Sequence, residues 1–220
     1  MRTAVDLGMK SGVLARSGLD PDTFTVFAML RNAYPERPVP LRSYRAAYVY
    51  HDPAKFDQAL SRMVDTGVVA VAPNQVLTLS DSGRELISQV RAVSAQAAEG
   101  LWGTDPLPVL PLADRCLLAA STTATPAGAF HLVAPPHDEV EDSDATRLAE
   151  RLTGLRWHRF DAHVAAWTSA GLTAASVTDL GPGPLRDEIE ADTNERAGQA
   201  YGALTSEERA TLLEALRGLA

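Results

Sequence analysis

Cysteine is almost absent from this sequence, since Cys116 is the single one among 220 residues. One thiol excludes an intrachain disulfide and any metal site built from several cysteines. No apolar run approaches the ~20 residues that a membrane span needs. The N-terminal segment MRTAVDLGMK also lacks the apolar core of a signal peptide. We therefore expect a cytoplasmic protein that contacts no membrane.

The signatures of several common enzyme classes are also missing. The chain has no Gly-x-Ser-x-Gly nucleophile motif, no phosphate-binding loop and no dinucleotide-binding glycine cluster. An enzyme is therefore the less favoured interpretation, and the sequence predicts neither a cofactor nor a metal ion.

An excess of basic residues is missing as well, because the formal net charge is −8. That sign is wrong for a protein that simply coats nucleic acid. Residues 1–100 hold 11 Lys and Arg against 10 Asp and Glu, whereas residues 101–220 hold 9 against 18. If any part of the chain contacts DNA, we expect it to be the nearly neutral first half.

Three helices are predicted in the first half, over residues 22–33, 41–50 and 53–65. Apolar residues at helical spacing indicate the first, which a group of prolines follows. Asp52 is suited to cap the third helix, and Gly67 is suited to end it. The apolar side of the third helix is predicted to hold Phe56, Leu60, Met63 and Val64.

A β-hairpin is predicted directly after the third helix. The β-branched run VVAVA (68–72) and the segment VLTL (76–79) have strand character, and PNQ (73–75) between them favours a turn. A long helix then begins, with Asp81 or Ser82 as its cap. The sequence thus predicts a mainly α protein with a small β-hairpin.

The stretch FDQALSRMVDTGVVAVAPNQVLTLSDSGRELI resembles the winged helix-turn-helix of MarR-like bacterial regulators, and the resemblance covers residues 24–93. It implies that the third helix enters the major groove of DNA while the hairpin, the wing, follows the backbone. The residues that it implies for DNA contact are Arg42, Ser43, Arg45, Lys55, Gln58, Ser61, Arg62 and Gln75.

Two features depart from that family's pattern. Asp57 lies on the exposed side of the third helix, where a carboxylate would repel phosphate. The wing tip PNQ has no Arg or Lys, although a basic wing is common among DNA binders. The alternative is a winged-helix scaffold that never contacts DNA and instead binds or converts a small molecule.

The second half of the chain has features of a divergent second copy. When Phe160-Asp161 is set over Phe56-Asp57, Gly171 falls on Gly67. A tandem, pseudo-dimeric winged helix would place a second helix over 144–153, a turn at Gly154-Leu155 and a third helix over 156–170. The competing hypothesis is one uninterrupted helix over 144–170.

Three segments follow from this interpretation: a winged helix-turn-helix over 1–102, a Pro- and Ala-rich connector over 103–143, and a second winged-helix-like or all-α domain over 144–220. In the connector we expect one helix near residues 112–120 and a short extended piece over 129–134. The second copy has no wing, because Gly181-Pro182-Gly183-Pro184 stands where a hairpin would be.

The segment LRWHRFDAH (155–163) places charged residues in an apolar helix. The whole chain resembles an uncharacterised actinobacterial helix-turn-helix family, in which a His-Arg-x-Asp-x-His helix precedes an Ile-Glu-x-x-Thr-Asp helix. The matching positions are His158, Arg159, Asp161, His163, Ile189, Glu190 and Thr193. Asn194 replaces that family's usual Asp, so a role that needs a carboxylate there is in doubt.

Helical geometry places Arg159 in a stripe with Leu152 and Leu155, so we expect it to be at least half buried and paired. Its candidate partners are Asp161, Glu188 and Glu190. His158 and His163 are about 140° apart around the helix, which disfavours a metal site formed by both.

Three interpretations of this segment stay open. The first is a buried ion-pair network between two helices. The second is a pocket for a small acidic ligand, in which Arg159 binds the ligand and a histidine titrates near neutral pH. Its predicted lining is Trp157, His158, Arg159, Asp161, His163 and Glu190. The third is acid–base catalysis by His158, Asp161 and His163.

The sequence therefore favours a DNA-binding transcriptional regulator whose second half senses a small acidic ligand. The predicted partners are double-stranded DNA and that ligand. The protein is expected to be either a monomeric pseudo-dimer or a homodimer through its terminal helices. The amphipathic C-terminal segment 206–219 could form the homodimer contact through Leu212, Leu213, Leu216 and Leu219.

Overall fold

The computed structural model describes residues 12–33, 37–105, 107–136, 138–139 and 141–217. These residues are mainly helical, with one three-stranded antiparallel sheet, so the predicted mainly α class with a small β element is confirmed. The helices are α1 (Val13–Ser17), α2 (Pro21–Ala28), α3 (Leu41–Ala46), α4 (Pro53–Asp65), α5 (Asp81–Trp102), α6 (Leu110–Thr123), α7 (Asp144–Ser169), α8 (Ala174–Thr178), α9 (Pro184–Gly198) and α10 (Ser206–Arg217). The strands are β1 (Val39–Pro40), β2 (Val69–Val71) and β3 (Val76–Leu79), and the 3₁₀ segments are Met29–Asn32, Ala129–Leu132 and Gln199–Ala203.

Helix α4 begins and ends where the sequence predicts. The Asp52 side chain accepts a hydrogen bond of 2.9 Å from the backbone N–H of Ala54, as an N-cap does. Gly67 follows the helix with a φ of 72°, a left-handed conformation that glycine adopts without strain. Phe56 and Met63 are buried as expected, but Val64 is 43% exposed, so its placement on the apolar side was wrong.

The two preceding helices are shorter than predicted. Helix α2 begins at Pro21 because the Asp20 side chain accepts hydrogen bonds from the backbone N–H groups of Asp22 and Thr23. It changes to a 3₁₀ helix after Ala28. Helix α3 ends at Ala46, and the chain continues through hydrogen-bonded turns to the cap of α4.

The predicted hairpin is confirmed, with Val69 opposite Leu79 and Val71 opposite Leu77. The sequence did not predict β1, which adds a third strand by pairing Val39 with Leu77. The prolines on both sides of Val39 argue against a strand in the middle of a sheet, because proline has no N–H to donate. β1 lies at the edge of the sheet, where proline is tolerated.

Ser80, one residue before the predicted candidates, caps the long helix α5 by accepting from the N–H of Gly83. Gly83 lets this helix approach the hairpin closely. A Cβ atom at this position would lie 2.0 Å from the carbonyl oxygen of Val68. Only glycine fits there without moving the backbone.

The connector departs from its prediction in one place. Helix α6 covers the predicted helix and extends it at both ends, but the piece over 129–134 is not extended. Residues Ala129–Leu132 form a 3₁₀ helix, because the buried carboxylate of Asp161 accepts hydrogen bonds from its first N–H groups.

Helix α7 is continuous through Gly154, so the predicted turn at Gly154-Leu155 was wrong and the single-helix alternative is confirmed. Gly154 serves a close helix contact instead of a turn. A Cβ there would lie 2.5 Å from Cδ1 of Leu117 in α6. Gly171 ends the helix with a φ of 75°. Within the described part of the chain no strand follows Leu79, as expected for a second half without a wing.

The hydrophobic core joins all three predicted segments. One cluster of buried residues includes Phe24 and Tyr44 from the first, Phe130 from the connector and Leu148 from the last. A smaller cluster forms around Trp167, where Tyr50 and other residues of the turn before α4 pack against the end of α7. The second half therefore supports the residues that precede α4.

The C-terminal helix α10 contributes to the main core. Leu212 is 3% exposed and belongs to that core, whereas Leu213 is 49% exposed. Leu216 packs against the core, and Leu219 lies outside the described residues. Leu212 is therefore unavailable for the homodimer contact expected of it. No helix within the described ranges combines the length and apolarity that crossing a membrane requires.

Candidate functional site

The outer side of α4, the segment around α3 and the tip of the β2–β3 hairpin form the first candidate surface. Seven of the eight residues predicted to contact DNA are exposed: Arg42, Arg45, Lys55, Gln58, Ser61, Arg62 and Gln75. Ser43 is the exception, since it is 1% exposed and cannot reach a phosphate. Helix α3 packs against the 3₁₀ segment Ala129–Leu132, a tertiary contact that helical periodicity does not reveal.

Two of the three arginines on this surface form ion pairs within the chain. A guanidinium nitrogen of Arg45 lies 2.6 Å from a carboxylate oxygen of Asp57, and the guanidinium also lies over the ring of Phe56. Arg62 lies 2.5 Å from Asp20. The carboxylate of Asp57 is therefore neutralised by Arg45, which is itself less available to a phosphate.

Asp20 belongs to both a helix cap and this surface. Hydrogen bonds from Thr23, reinforced by Arg62, lower the pKa of Asp20 to about 2. Its carboxylate is consequently charged at neutral pH and holds Arg62 against the start of α2. Arg42 and Lys55 form no ion pair with any residue in the described part of the chain.

The turn of the β2–β3 hairpin is hydrogen-bonded to the start of α3. Gln75 has a φ of 60°, which is uncommon for a residue with a side chain. Its carbonyl oxygen accepts a hydrogen bond of 2.9 Å from the backbone N–H of Leu41. This hydrogen bond joins the hairpin turn to the first residue of α3, while the Gln75 side chain stays exposed.

The residues of LRWHRFDAH diverge from one another and do not line one pocket. His158 and Asp161 are buried towards α6 and the second 3₁₀ segment. Arg159 and His163 face α9, and Trp157 packs edge-on against Phe160. The set predicted from sequence therefore divides into separate groups.

Asp161 supports the backbone of the connector. Its two oxygens accept hydrogen bonds of 2.8 and 2.9 Å from the N–H groups of Ala129 and Phe130. Burial raises the pKa of Asp161, although these hydrogen bonds act in the opposite direction. Gly128 leaves room for the carboxylate, because a Cβ there would lie 2.2 Å from Oδ2.

His158 makes a separate buried contact. Its Nε2 lies 3.0 Å from the hydroxyl oxygen of Thr123, and its ring meets Phe130 edge-on. Burial lowers the pKa of His158, so the neutral ring is favoured. Among the described residues no hydrogen bond joins His158 to Asp161, so the pair is not arranged as a catalytic dyad.

Arg159 is about half buried and is paired, as the sequence predicts. Its side chain is 47% exposed and lies beside a groove between α7 and α9. One nitrogen donates to Glu190 at 3.0 Å, which confirms one of the three candidate partners. Another donates to the amide oxygen of Asn194 at 2.8 Å, so this position needs no carboxylate to accept it.

His163 joins this group to the first half of the chain. Its Nδ1 lies 2.7 Å from the hydroxyl oxygen of Tyr50, and its Nε2 lies 3.8 Å from Glu190. Trp167 donates to the same hydroxyl at 2.8 Å. Burial lowers the pKa of His163 more strongly than Glu190 raises it. The sequence interpretation missed Tyr50, whose signal was only an aromatic residue in a turn.

A cavity of about 460 Å³ opens beside Arg159, between α7 and the end of α9. Arg159 is the only one of the six predicted ligand-binding residues that lines this cavity within the described chain. The predicted ligand-binding set did not include the other polar residues around it, Arg156, Asn194 and Tyr201.

Comparisons with family models, curated proteins and solved structures returned no match for this chain. No group of three or more His, Cys, Asp or Glu side chains in the described ranges is placed to hold a metal ion. The two candidate sites are the surface around α4 and the cavity beside Arg159.

Proposed function

We propose that this protein is a DNA-binding transcriptional regulator, built on a MarR-like winged helix, with a second half that senses a small molecule. The observation that supports it is the position of α4, which presents an exposed polar face and is followed directly by a hairpin and a long helix. This order matches the recognition helix, wing and following helix of that fold.

The contacting residues proposed on α4 are Lys55, Gln58 and Ser61, which recur every three residues and share one exposed side. Lys55 and Arg42 supply positive charge that no ion pair uses in the described part of the chain. Phosphate contacts by such residues position a protein on DNA, and amides such as that of Gln58 read base edges.

The second half is proposed to act on α4 through Tyr50, which lies two residues before the Asp52 cap. Tyr50 contacts His163 and Trp167 of α7. A movement of α7 would therefore reach the start of the recognition helix directly. A second winged helix is not part of the proposal, because α7 is continuous and no strand follows Leu79 among the described residues.

Binding to the DNA upstream of its own gene tests this function, with a random fragment of equal length for comparison. We expect affinity to fall steeply between about 50 and 200 mM salt. Lys55→Ala should weaken binding to both fragments and reduce the salt slope by about one, whereas Gln58→Ala should reduce the preference for the upstream fragment. Arg196→Ala removes a positive charge from α9, away from α4, and should change neither the salt slope nor the preference for the upstream fragment.

One observation favours a second candidate function. The pairs Arg45–Asp57 and Arg62–Asp20 reduce the positive charge that the first surface offers to DNA. A small-molecule-binding protein that does not contact DNA would tolerate such pairs. Absence of salt-sensitive DNA binding at about 50 mM salt would favour this candidate and reject the regulator.

A further inference from the structure

The cavity between α7 and α9 is formed by two facing stripes of side chains. Leu152, Leu155, Arg156 and Arg159 form the stripe on α7. Asn194, Ala197, Gly198 and Tyr201 form the opposite one, which continues from α9 into the third 3₁₀ segment. Both stripes follow the three- and four-residue spacing of one helix face. The volume of about 460 Å³ lies in the usual range for small-molecule sites.

Small residues keep this cavity open. Ala197 and Gly198 lie where α9 passes α7, and a Cβ added to Gly198 would meet no heavy atom within 4 Å. Larger side chains at these two positions would occupy the space that the cavity now contains. The opening therefore results from residue size along α9.

Two guanidinium groups give the cavity a positive rim. Arg159 shares its donors between Glu190 and Asn194. Arg156 forms neither an ion pair nor a hydrogen bond with any residue in the described ranges, and lies over the ring of Trp157 at 5.9 Å. Within the described residues, Glu190 is the one carboxylate that pairs with either guanidinium group, so one positive charge is left to an anion.

The remaining wall is mostly apolar. Leu155 is 5% exposed, and Leu152 packs against the main core. Tyr201 is 36% exposed beside the cavity, and burial raises the pKa of its phenol, which therefore stays neutral and able to donate. Such a wall does not suit inorganic phosphate or sulfate, which have no apolar body to bury.

We infer that this cavity binds one organic carboxylate with an apolar body. The carboxylate would accept hydrogen bonds from Arg156 and Arg159, and the apolar body would lie against Leu152, Leu155 and the Tyr201 ring. Charge-assisted hydrogen bonds from the arginines orient the carboxylate. Burial of the apolar part of the ligand adds affinity but does not orient it. The inference rests on the proposed function, because it names the ligand class of the sensing half.

The test is calorimetric titration of the full chain, in the absence of DNA, with hexanoate, octanoate and phenylbutanoate. The matching alcohols serve as uncharged partners of each carboxylate. We expect saturable binding of one carboxylate per chain and at least tenfold weaker binding of its alcohol, because the alcohol cannot form charge-assisted bonds.

Three variants locate the binding. Arg156→Gln and Arg159→Gln should each weaken carboxylate binding about tenfold by removing a charged donor. Gly198→Leu should abolish binding because the leucine side chain would fill the cavity. The backbone of Gly198 is helical and a Cβ there meets open space, so we expect the variant to fold. Arg196→Gln, on the same helix but outside the cavity, is the matched control and should leave the affinity unchanged.

Two results would overturn the inference. One is that no carboxylate of the panel binds the wild-type chain at millimolar concentration. The other is that binding survives both Arg156→Gln and Gly198→Leu, which would place the carboxylate elsewhere. If carboxylates bind as expected but DNA does not, the cavity inference stands and the regulator fails. DNA binding without carboxylate binding overturns the inference alone.

Discussion

The hydroxyl oxygen of Tyr50 lies 2.7 Å from Nδ1 of His163, and this contact joins the turn before α4 to the middle of α7. His163 also approaches Glu190, the carboxylate that pairs with Arg159 at the cavity rim. Two hydrogen bonds and one longer approach, of 3.8 Å between His163 and Glu190, therefore connect the rim of the cavity with the turn before α4. A ligand that competes with Glu190 for Arg159 would act at one end of this connection.

We expect Tyr50→Phe to lower the free energy of unfolding by about 1–3 kcal/mol, because two hydrogen bonds lose their shared hydroxyl. Urea unfolding measures this change. Tyr48→Phe is the matched control, since its hydroxyl makes a single long contact of 3.4 Å with the carbonyl oxygen of Thr25. If both variants lose the same free energy of unfolding, the hydrogen bonds of the Tyr50 hydroxyl with His163 and Trp167 are not what stabilises the protein.

We expect Asp57→Asn to raise DNA affinity severalfold and to steepen the salt dependence by about one phosphate contact, because Arg45 loses its carboxylate partner. The stability cost should stay under about 1 kcal/mol, since the pair is exposed. Fluorescence anisotropy at several salt concentrations measures both quantities. Asp65→Asn removes an exposed carboxylate at the end of the same helix, which forms no ion pair in the described part of the chain. An equal gain in DNA affinity there would show a general charge effect.

His158 makes stability depend on pH in a defined direction. Burial lowers its pKa below the ordinary 6.5, so between that lowered value and 6.5 the unfolded chain binds more protons than the folded one. The free energy of unfolding should therefore decrease as the pH falls through about 6.5 and remain constant with respect to this group above it.

We expect His158→Gln to flatten this dependence by at most about 1.4 kcal/mol per pH unit, because glutamine does not titrate. Urea unfolding between pH 7 and pH 5 measures the slope in both proteins. The remaining slope includes His163, whose pKa is also lowered. His51 is exposed, and His51→Gln is the control. If it flattens the pH dependence of unfolding as much as His158→Gln does, burial of His158 is not the cause of that dependence.

Two glycines should respond oppositely to alanine. Gly128→Ala would force a Cβ against the buried carboxylate of Asp161, whose hydrogen bonds hold the second 3₁₀ segment. We expect a loss of more than about 2 kcal/mol, because a buried charged acceptor loses its donors. Gly198→Ala meets open space on a helical backbone and should instead stabilise the protein by about 0.5–1 kcal/mol.

Thermal unfolding of both variants checks the signs. A lower midpoint for Gly198→Ala would mean that the cavity is less open than described. An unchanged midpoint for Gly128→Ala would mean that the Asp161 carboxylate moves without losing its donors.

Local signals in the sequence determined α4 and the hairpin. Asp52 accepts a hydrogen bond from Ala54, two positions along the chain, and Gly67 ends the helix, so the relevant interactions are local. The β-branched run and the turn that indicated the hairpin are equally local. Both elements could therefore be predicted with their boundaries.

Tertiary structure alone decided how the candidate site is arranged. Asp161 holds backbone groups more than thirty positions earlier, and Tyr50 meets His163 across more than a hundred. Arg159 lies beside a groove where α9 passes α7 at small residues, and no periodicity within α7 indicates that groove. A glycine such as Gly154 can indicate a turn in the sequence. In the structure it instead allows the close approach of Leu117 to α7. The sequence by itself thus determined α4 and the hairpin, because caps, turns and periodicity act over a few residues. Which side chains meet depended on how distant elements pack, and that packing defines the cavity and its link to α4.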